Sequence, residues 1–376
     1  MKIAYLTTWP PRECGIANFT HDLATTIGKE NHNINWEIIA LNEPGTNFQY
    51  DNRVSQIIIR DKYQTYKKAA DYVNNSDINL VVLEHEFGLF EPKSNLKEFL
   101  SLVKKPIVTT LHTVFFPEIY KTKYLRIRLK TLKKIIDNSD KIITMSQISA
   151  LKIQKDFHLS KKRVVVIPHG APDIKKIDQN KVKKQLGLTE NHLLLSYGLI
   201  GKGKNFEQGI KAMSKILKKY PDTIYLIMGE THPNLSSGYM NFLKELVKKL
   251  HLKQNVRFIN RYLTLKEIII NLQAADIFIN TTNVLNLASS GTLAYALVAG
   301  KCIIATPFIY AKDILSEKKG IIVPVDDAGM LAKKVIDIFD HPQKRKQYEN
   351  RTYHFGRNMI WSKIAKKYIN LFETLT

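Results

Sequence analysis

The chain has 376 residues, 44% of them hydrophobic, so it is too long for one ordinary domain and can bury a core in each of two. It has no run of about 18 apolar residues, which argues against a membrane-spanning helix. Its two cysteines, Cys14 and Cys302, supply neither a disulfide framework nor a zinc site, so we expect a reducing, cytoplasmic location.

The formal net charge of +23 favours anionic partners such as nucleic acid, acidic lipid or phosphorylated substrates. We do not expect nucleic acid, because zinc-finger spacing, basic-zipper heptads and an RNA-recognition aromatic signature are all missing from the sequence.

Part of the charge falls on an amphipathic helix predicted between residues 121 and 137. Its basic residues are Lys121, Lys123, Arg126, Arg128, Lys130, Lys133 and Lys134, and its apolar stripe is Leu125, Leu129, Leu132 and Ile136. Such a helix either makes a peripheral contact with anionic lipid at the inner face of the membrane or buries its stripe on a sheet.

Short apolar runs alternate with helical patterns along almost the whole chain, which is typical of parallel sheets covered by helices on both faces. We predict two doubly wound domains that meet near Pro168–Pro172. The predicted strands are Ile3–Thr8, Trp36–Leu41, Gln56–Arg60, Leu80–His85, Ile107–His112, Lys141–Ser146, Val164–Pro168, Leu193–Leu199, Ile224–Gly229, Val256–Asn260, Ile277–Thr281, Cys302–Thr306 and Gly320–Val325.

Glycine and polar residues follow five of these strands, at the ends where doubly wound sheets bind ligands. They are the loop before Gly15, the run Glu84–Gly88, His112 with Thr113, the run Gly198–Lys204 and the run Gly229–His232. This recurrence predicts a ligand-binding cleft between the two domains.

The stretch Ser289–Lys301 predicts a short helix that begins near Ser290 and ends at Gly300. The backbone N–H groups at such a start, together with the helix dipole, suit a pyrophosphate. The alternative is an ordinary helix–strand unit of an α/β protein.

Four motifs resemble the retaining sugar-nucleotide glycosyltransferases of the GT-B fold, family 4: Cys14–Ala17, Ile167–Gly170, Gly198–Lys204 and the helix Ser290–Lys301. Within that family, Gly229–Pro233 and Ser290–Leu297 look like a bacterial subgroup of mannosyl- or glycosyltransferases. The resemblance covers nearly the whole chain. It implies an α/β fold with two Rossmann-like domains facing across a cleft and a C-terminal helix, with Trp361, Ile364, Ala365, Tyr368 and Phe372 on one face, that crosses back to the first domain.

The implied domains are an acceptor domain at residues 1–170, a sugar-nucleotide domain at 171–355 and the returning helix at 356–376. The implied co-substrate is a UDP- or GDP-linked sugar, with no metal or other cofactor, and the implied acceptor is a glycan or a lipid-linked molecule. The sugar, the acceptor and the oligomeric state are left open.

The residue types and the resemblance together give candidate site residues. Donor-binding candidates are Gly15, Lys202, Lys204, Glu230, Ser290, Gly291, Thr292 and Tyr295; catalytic candidates are His112 and Glu86; acceptor candidates are Arg12, Glu84 and His85. The residue types fit: a lysine on a glycine-rich turn suits a diphosphate, and Gly15 lets a ligand approach the backbone. Each assignment has an alternative without a ligand. Lys204 can be a solvated surface lysine, and Gly15 can simply form the turn between a strand and a helix. His112 can be structural, and Glu84–Glu86 can be a solvated strand end.

Two departures from the family pattern keep a second function open. Many family members have a Glu-x7-Glu motif, whose two Glu positions hold Leu287 and Tyr295 in this sequence. Many also have a phosphate-binding Arg at the position of Leu199. Retaining transfer in this family is thought to use the donor phosphate as base and electrostatic stabilisation, which does not require a side-chain nucleophile. The alternative is a catalytically impaired glycosyltransferase-like subunit or nucleotide-sugar-binding protein; a sugar-phosphate epimerase rests on fold analogy alone.

Overall fold

A computed structural model describes residues 1–91, 93–114, 125–189, 191–231 and 238–376, without the side chains of Leu125 and Arg126. All thirteen predicted strands are present in these ranges. They are β1 (Lys2–Thr7), β2 (Asn35–Asn42), β3 (Val54–Ile59), β4 (Leu80–His85), β5 (Ile107–Leu111), β6 (Lys141–Thr144), β7 (Val164–Val166), β8 (Leu193–Tyr197), β9 (Ile224–Met228), β10 (Val256–Ile259), β11 (Ile277–Asn280), β12 (Cys302–Ala305) and β13 (Ile321–Ile322).

Helices separate most of the strands. They are α1 (Gly15–Glu30), α2 (Tyr63–Asn75), α3 (Phe87–Phe90), α4 (Leu96–Leu102), α5 (Leu125–Asp137), α6 (Gln147–Asp156), α7 (Gln179–Gln185), α8 (Phe206–Ile216), α9 (Gly238–Lys249), α10 (Leu265–Ala274), α11 (Gly291–Val298), α12 (Ile309–Ile314), α13 (Ala328–Asp340), α14 (Pro342–Gly356) and α15 (Trp361–Glu373), with a 3₁₀ turn at Lys202–Lys204. None of the described helices combines the length and apolar character needed to cross a bilayer.

The described residues form two compact units. The first consists of Met1–Gly170, Asn286–Ser289 and Trp361–Thr376, and the second of Ala171–Leu285 and Ser290–Ile360.

The first unit contains a seven-stranded parallel sheet in the order β3-β2-β1-β4-β5-β6-β7. The strand order reverses between β1 and β4, the position where doubly wound sheets bind ligands. The C-terminal helix α15 belongs to this unit and packs on α1, which confirms that it returns to the first domain. Its predicted apolar face is also confirmed, because Trp361, Ile364, Ala365, Tyr368 and Phe372 are all buried.

The second unit contains a six-stranded parallel sheet in the order β10-β9-β8-β11-β12-β13, which reverses between β8 and β11. Its strands are almost entirely apolar because helices cover both faces. The predicted strand Gly320–Val325 is too long, since only Ile321 and Ile322 pair with β12 and Pro324 has no N–H to continue the ladder.

The predicted helix of residues 121–137 is described from Leu125 onward, so Lys121 and Lys123 lie outside the described residues. In α5, Leu132, Ile135 and Ile136 are buried, whereas Ile127 is 61% exposed. Arg128 is held by Glu91, and Lys130, Lys133 and Lys134 are exposed.

Candidate active site

In the second unit, the loop after β8 brings the Lys204 side chain over Gly198. A Cβ on Gly198 would lie 3.5 Å from Cε of Lys204 and 3.3 Å from Cγ2 of Thr292. Gly198 has a φ of +135°, and Gly229 after β9 has a φ of +140° with its Cβ position only 2.0 Å from the carbonyl oxygen of Gly198. Both positions therefore require glycine, and the loop after β8, the loop after β9 and the start of α11 converge there.

Lys204 is a partly buried cation without a counter-ion. Within the described chain its ammonium makes no ion pair and no side-chain hydrogen bond, and burial lowers its pKa from the ordinary value. Removing a charge from water without a partner is unfavourable, so an anion at this position would stabilise the ammonium. Lys202, two residues earlier, is exposed.

Hydroxyl groups that follow β11 hold the Lys204 loop. Thr281 donates from Oγ1 to the Asn205 carbonyl at 2.8 Å, and Thr282 donates from Oγ1 to the Gly203 carbonyl at 2.6 Å. Neither threonine is among the site residues predicted from the sequence. The sequence does show two polar residues directly after a buried strand. Their contact with the Lys204 loop could not be predicted, because it depends on β11 lying beside β8.

The helix α11 begins as predicted. Ser290 is its N-cap, and its Oγ accepts from the Leu293 N–H at 3.3 Å and lies 3.1 Å from Oγ1 of Thr292. The N–H groups of Gly291 and Thr292 have no acceptor within the helix, because the first turn lacks preceding carbonyls. These two amides and the partly buried Lys204 are the groups of the second unit that suit a diphosphate.

The remaining donor candidates of the second unit have different surroundings. The Glu230 carbonyl accepts from the Ile200 N–H at 2.7 Å, which fixes the loop after β9 against the loop after β8. The ring of Tyr295 lies 6.3 Å from that of Tyr197. His232, part of the motif named above, lies outside the described residues.

In the first unit, Gly15 opens α1 and faces open space. A Cβ there would have no atom within 4 Å, and Cys14 before it caps the helix by accepting the Ala17 N–H at 3.4 Å. Packing within the described chain therefore does not explain a glycine at this position.

His112 and Glu84 form a buried pair. Glu84 is the second-to-last residue of β4, His112 follows β5, and Nε2 of His112 lies 2.8 Å from Oε2 of Glu84. Glu84 is predicted to be an acceptor contact, but its side chain is fully buried and already hydrogen-bonded to His112.

His85 and Glu86 directly follow Glu84 in the chain. Glu86 is half-buried, lies beyond the end of β4 and accepts a hydrogen bond from the Thr113 hydroxyl. His85 is fully buried against Phe87 and Phe90, neither of its ring nitrogens has a partner in the described chain, and burial lowers its pKa to about 3.

Arg12 is already paired. Its guanidinium lies 2.6 Å from the carboxylate of Glu43, which follows β2. Glu43 is not among the site residues predicted from the sequence, because its nearness to Arg12 depends on the pairing of β1 with β2.

Two family models match the chain. The model described as Glycosyltransferase Family 4 matches residues 14–173, and the model described as Glycosyl transferases group 1 matches residues 178–355. The chain belongs to the GT-B glycosyltransferases of family 4. The two matches together span the loops of Gly15, His112, Lys204 and Ser290.

One relative of the chain is distant in sequence. An uncharacterized glycosyltransferase of Haemophilus influenzae is 25% identical over 259 residues, which are 66% of this chain. The match spans 65% of the length of that relative.

Solved structures share the fold over the full length. The structure of Anabaena HepE in complex with UDP-glucose superposes with a TM-score of 0.77 at 15% identity and covers 100% of both chains. Sucrose-phosphate synthase of Thermosynechococcus elongatus superposes with a TM-score of 0.77 at 16% identity, over 100% of this chain and 99% of the other.

This glycosyltransferase departs from the family pattern in its carboxylates. Leu287 belongs to the segment Asn286–Ser289 of the first unit, where the Ser289 hydroxyl donates to the His112 carbonyl at 3.0 Å. The carboxylate that contacts His112 is that of Glu84. In the described part of the chain, no group of three or more His, Cys, Asp or Glu side chains is placed to hold a metal ion.

Proposed function

We propose that this protein transfers a sugar from a nucleotide-diphosphate sugar to a glycan or lipid-linked acceptor, with retention of configuration and without a bound metal. The observation that carries the proposal is Lys204, a partly buried ammonium with no counter-ion beside the amides that open α11. A diphosphate supplies the missing negative charge and accepts hydrogen bonds from those amides.

UDP-sugars are the first donors to test, because the structurally similar HepE was solved with UDP-glucose. GDP- and ADP-sugars follow, since the described residues give no base-specific contact by which to choose. A hexose is the proposed sugar, in line with the family resemblance.

The proposed chemistry relies on electrostatic stabilisation. The donor phosphate acts as base, Lys204 and the α11 amides stabilise the departing diphosphate, and His112 and Glu86 are the candidate catalytic groups of the first unit. Such a mechanism does not need carboxylates at Leu287 and Tyr295.

The direct test is turnover by purified protein with a panel of UDP-, GDP- and ADP-sugars, measured as nucleotide release with and without acceptors. We expect release from at least one donor, and a loss of about tenfold or more in Lys204→Ala, since a charge-assisted contact is removed. Lys211→Ala is the matched control, because Lys211 is an exposed lysine on the following helix α8.

The second candidate function is a nucleotide-sugar-binding subunit that has lost turnover. The missing carboxylates at Leu287 and Tyr295 favour it. Calorimetric binding of a nucleotide sugar without turnover under any donor–acceptor combination would support this second function, whereas robust turnover would end it.

A peripheral contact with anionic membrane is a further part of the proposal. Ile127 is 61% exposed on α5, beside exposed Lys130 and Lys134. Apolar and basic side chains together favour an anionic lipid surface. Flotation with phosphatidylserine vesicles tests it: Ile127→Asp should reduce binding, and equal flotation of both proteins would contradict the assignment.

A further inference from the structure

The ring of His112 has its tautomer set by a neighbour. A carboxylate only accepts hydrogen bonds, so the 2.8 Å contact requires His112 to donate its Nε2–H to Glu84. In the neutral ring, Nδ1 then carries the lone pair. Glu84 is fully buried and His112 is 4% exposed, so the pair reaches solvent only through the imidazole.

The carboxylate of Glu84 is held on its other oxygen as well. Thr110, its partner across β4 and β5, donates from Oγ1 to Oε1 at 3.4 Å. The Thr110 hydroxyl also lies 3.5 Å from the phenol oxygen of Tyr368 on α15. Strand pairing and the returning helix therefore fix the carboxylate before any ligand binds.

The backbone of His112 is fixed in a similar way. Its N–H donates to the His85 carbonyl at 3.0 Å, and its carbonyl accepts from the Ser289 hydroxyl at 3.0 Å. The edge-on ring of Phe19, 4.9 Å away between centroids, packs against the imidazole.

The groups that act electrostatically on this pair are mostly neutral. Burial lowers the pKa of His85 to about 3 and that of His169 to about 4. The carboxylate of Asp22 works against burial and raises the pKa of His169. Burial and the nearby Glu84 raise the pKa values of Tyr5 and Tyr368, so both phenols stay protonated. The acidic side chain hydrogen-bonded to His112 is that of Glu84.

We propose that Glu84 is a positioning residue, which holds His112 as the Nε2–H tautomer so that Nδ1 accepts a hydrogen bond from a sugar hydroxyl of the substrate. The inference rests on the proposed glycosyl transfer and deepens it, since it assigns His112 the role of hydrogen-bond acceptor for a hydroxyl group of the substrate. Glu84 itself does not touch the substrate.

The test combines imidazole ¹⁵N NMR of the free protein with donor turnover. We expect wild-type His112 to show a protonated Nε2 and a bare Nδ1. Glu84→Ala should lose this preference and lower kcat by about ten- to a hundredfold, the range for loss of a charge-assisted hydrogen bond. Glu84→Gln keeps an amide oxygen at the same reach and should recover part of the loss.

Two measurements separate positioning from general damage. Glu37→Gln removes another buried carboxylate of the first unit, paired with Lys2 and not with His112, and should leave both the His112 signals and kcat near wild type. UDP affinity should be unchanged in Glu84→Ala, which shows that the second unit, proposed to hold the diphosphate, is intact.

A wild-type His112 protonated at Nδ1 would overturn the inference. So would an active Glu84→Ala with unchanged kcat. A wild-type protein that shows the expected tautomer but turns over no nucleotide sugar would overturn the proposed transferase function and leave the Glu84–His112 hydrogen bond standing.

Discussion

The side chain of Lys204 crosses the α-carbon of Gly198 so closely that a Cβ at residue 198 would lie 3.7 Å from Nζ. The glycine thus leaves the ammonium accessible beside the first turn of α11, where Thr292 is the other neighbour. The glycine that the backbone requires at residue 198 therefore lies directly beside the proposed phosphate site.

Gly198→Ala and Gly229→Ala should differ in their cost to folding. At Gly198 the nearest side-chain atoms are 3.3 Å or more away, so the positive φ dominates and the loss is about 1–3 kcal/mol. At Gly229 the new Cβ meets a backbone oxygen at 2.0 Å, so the loss must be larger. Urea unfolding measures both; a Gly229→Ala as stable as Gly198→Ala would contradict the close approach of the two loops.

Gly15→Ala should separate stability from function. Nothing packs within 4 Å of the new Cβ, and alanine favours a helix start over glycine, so stability should stay equal or rise by up to about 1 kcal/mol. Turnover should fall if a ligand approaches this backbone. Gly329→Ala is the control, because Gly329 lies in the first turn of α13, outside the candidate site, and its new Cβ would be nearest to the flexible Lys215 side chain, 3.1 Å from Nζ. Unchanged turnover in Gly15→Ala would remove Gly15 from the site.

Acid should destabilise the protein through His85. Its folded-state pKa of about 3 lies below the ordinary 6.5, so the unfolded chain binds the proton first and stability falls as pH drops below 6.5. Between pH 7 and pH 5 the loss from this residue is about 2 kcal/mol. Urea unfolding at the two pH values should show a smaller difference in His85→Met than in wild type. The exposed His32→Met should keep the full difference, and an identical pH effect in all three proteins would contradict the assignment.

Nucleoside diphosphate should bind in EDTA, with an affinity that falls as salt rises. Lys202 and Lys204 both contribute positive charge to the loop after β8, and attraction over distance is screened beyond about 10 Å at 0.1 M salt. Titrations at low and high salt, each with EDTA, measure this. A strict magnesium requirement would contradict the metal-free site, and salt-independent affinity would show that the charge acts elsewhere.

Local patterns were sufficient to predict the fold. Apolar runs located the strands, and the left-handed Gly300, with a φ of +66°, ends α11 where the sequence indicated. Several predicted strands extend past the observed ones to include His112, Gly198 and Thr281, because each of these residues already belongs to the loop that follows its strand.

The contacts within the site were not predictable in the same way. Glu84 with His112, Arg12 with Glu43 and Thr282 with Gly203 each join residues far apart in the chain. Each contact depends on the order of strands in a sheet, which hydrophobic periodicity does not contain. The roles assigned to these residues by resemblance remain predictions.

The proposed phosphate site at Lys204 is measured by calorimetric titration of UDP into wild type, Lys204→Ala and Lys211→Ala, in EDTA at low salt. We expect wild type and Lys211→Ala to bind within about twofold of each other, whereas Lys204→Ala should bind about ten- to a hundredfold more weakly because it loses a charge-assisted phosphate contact. Equal affinity in Lys204→Ala and wild type would show that the diphosphate does not bind at Lys204.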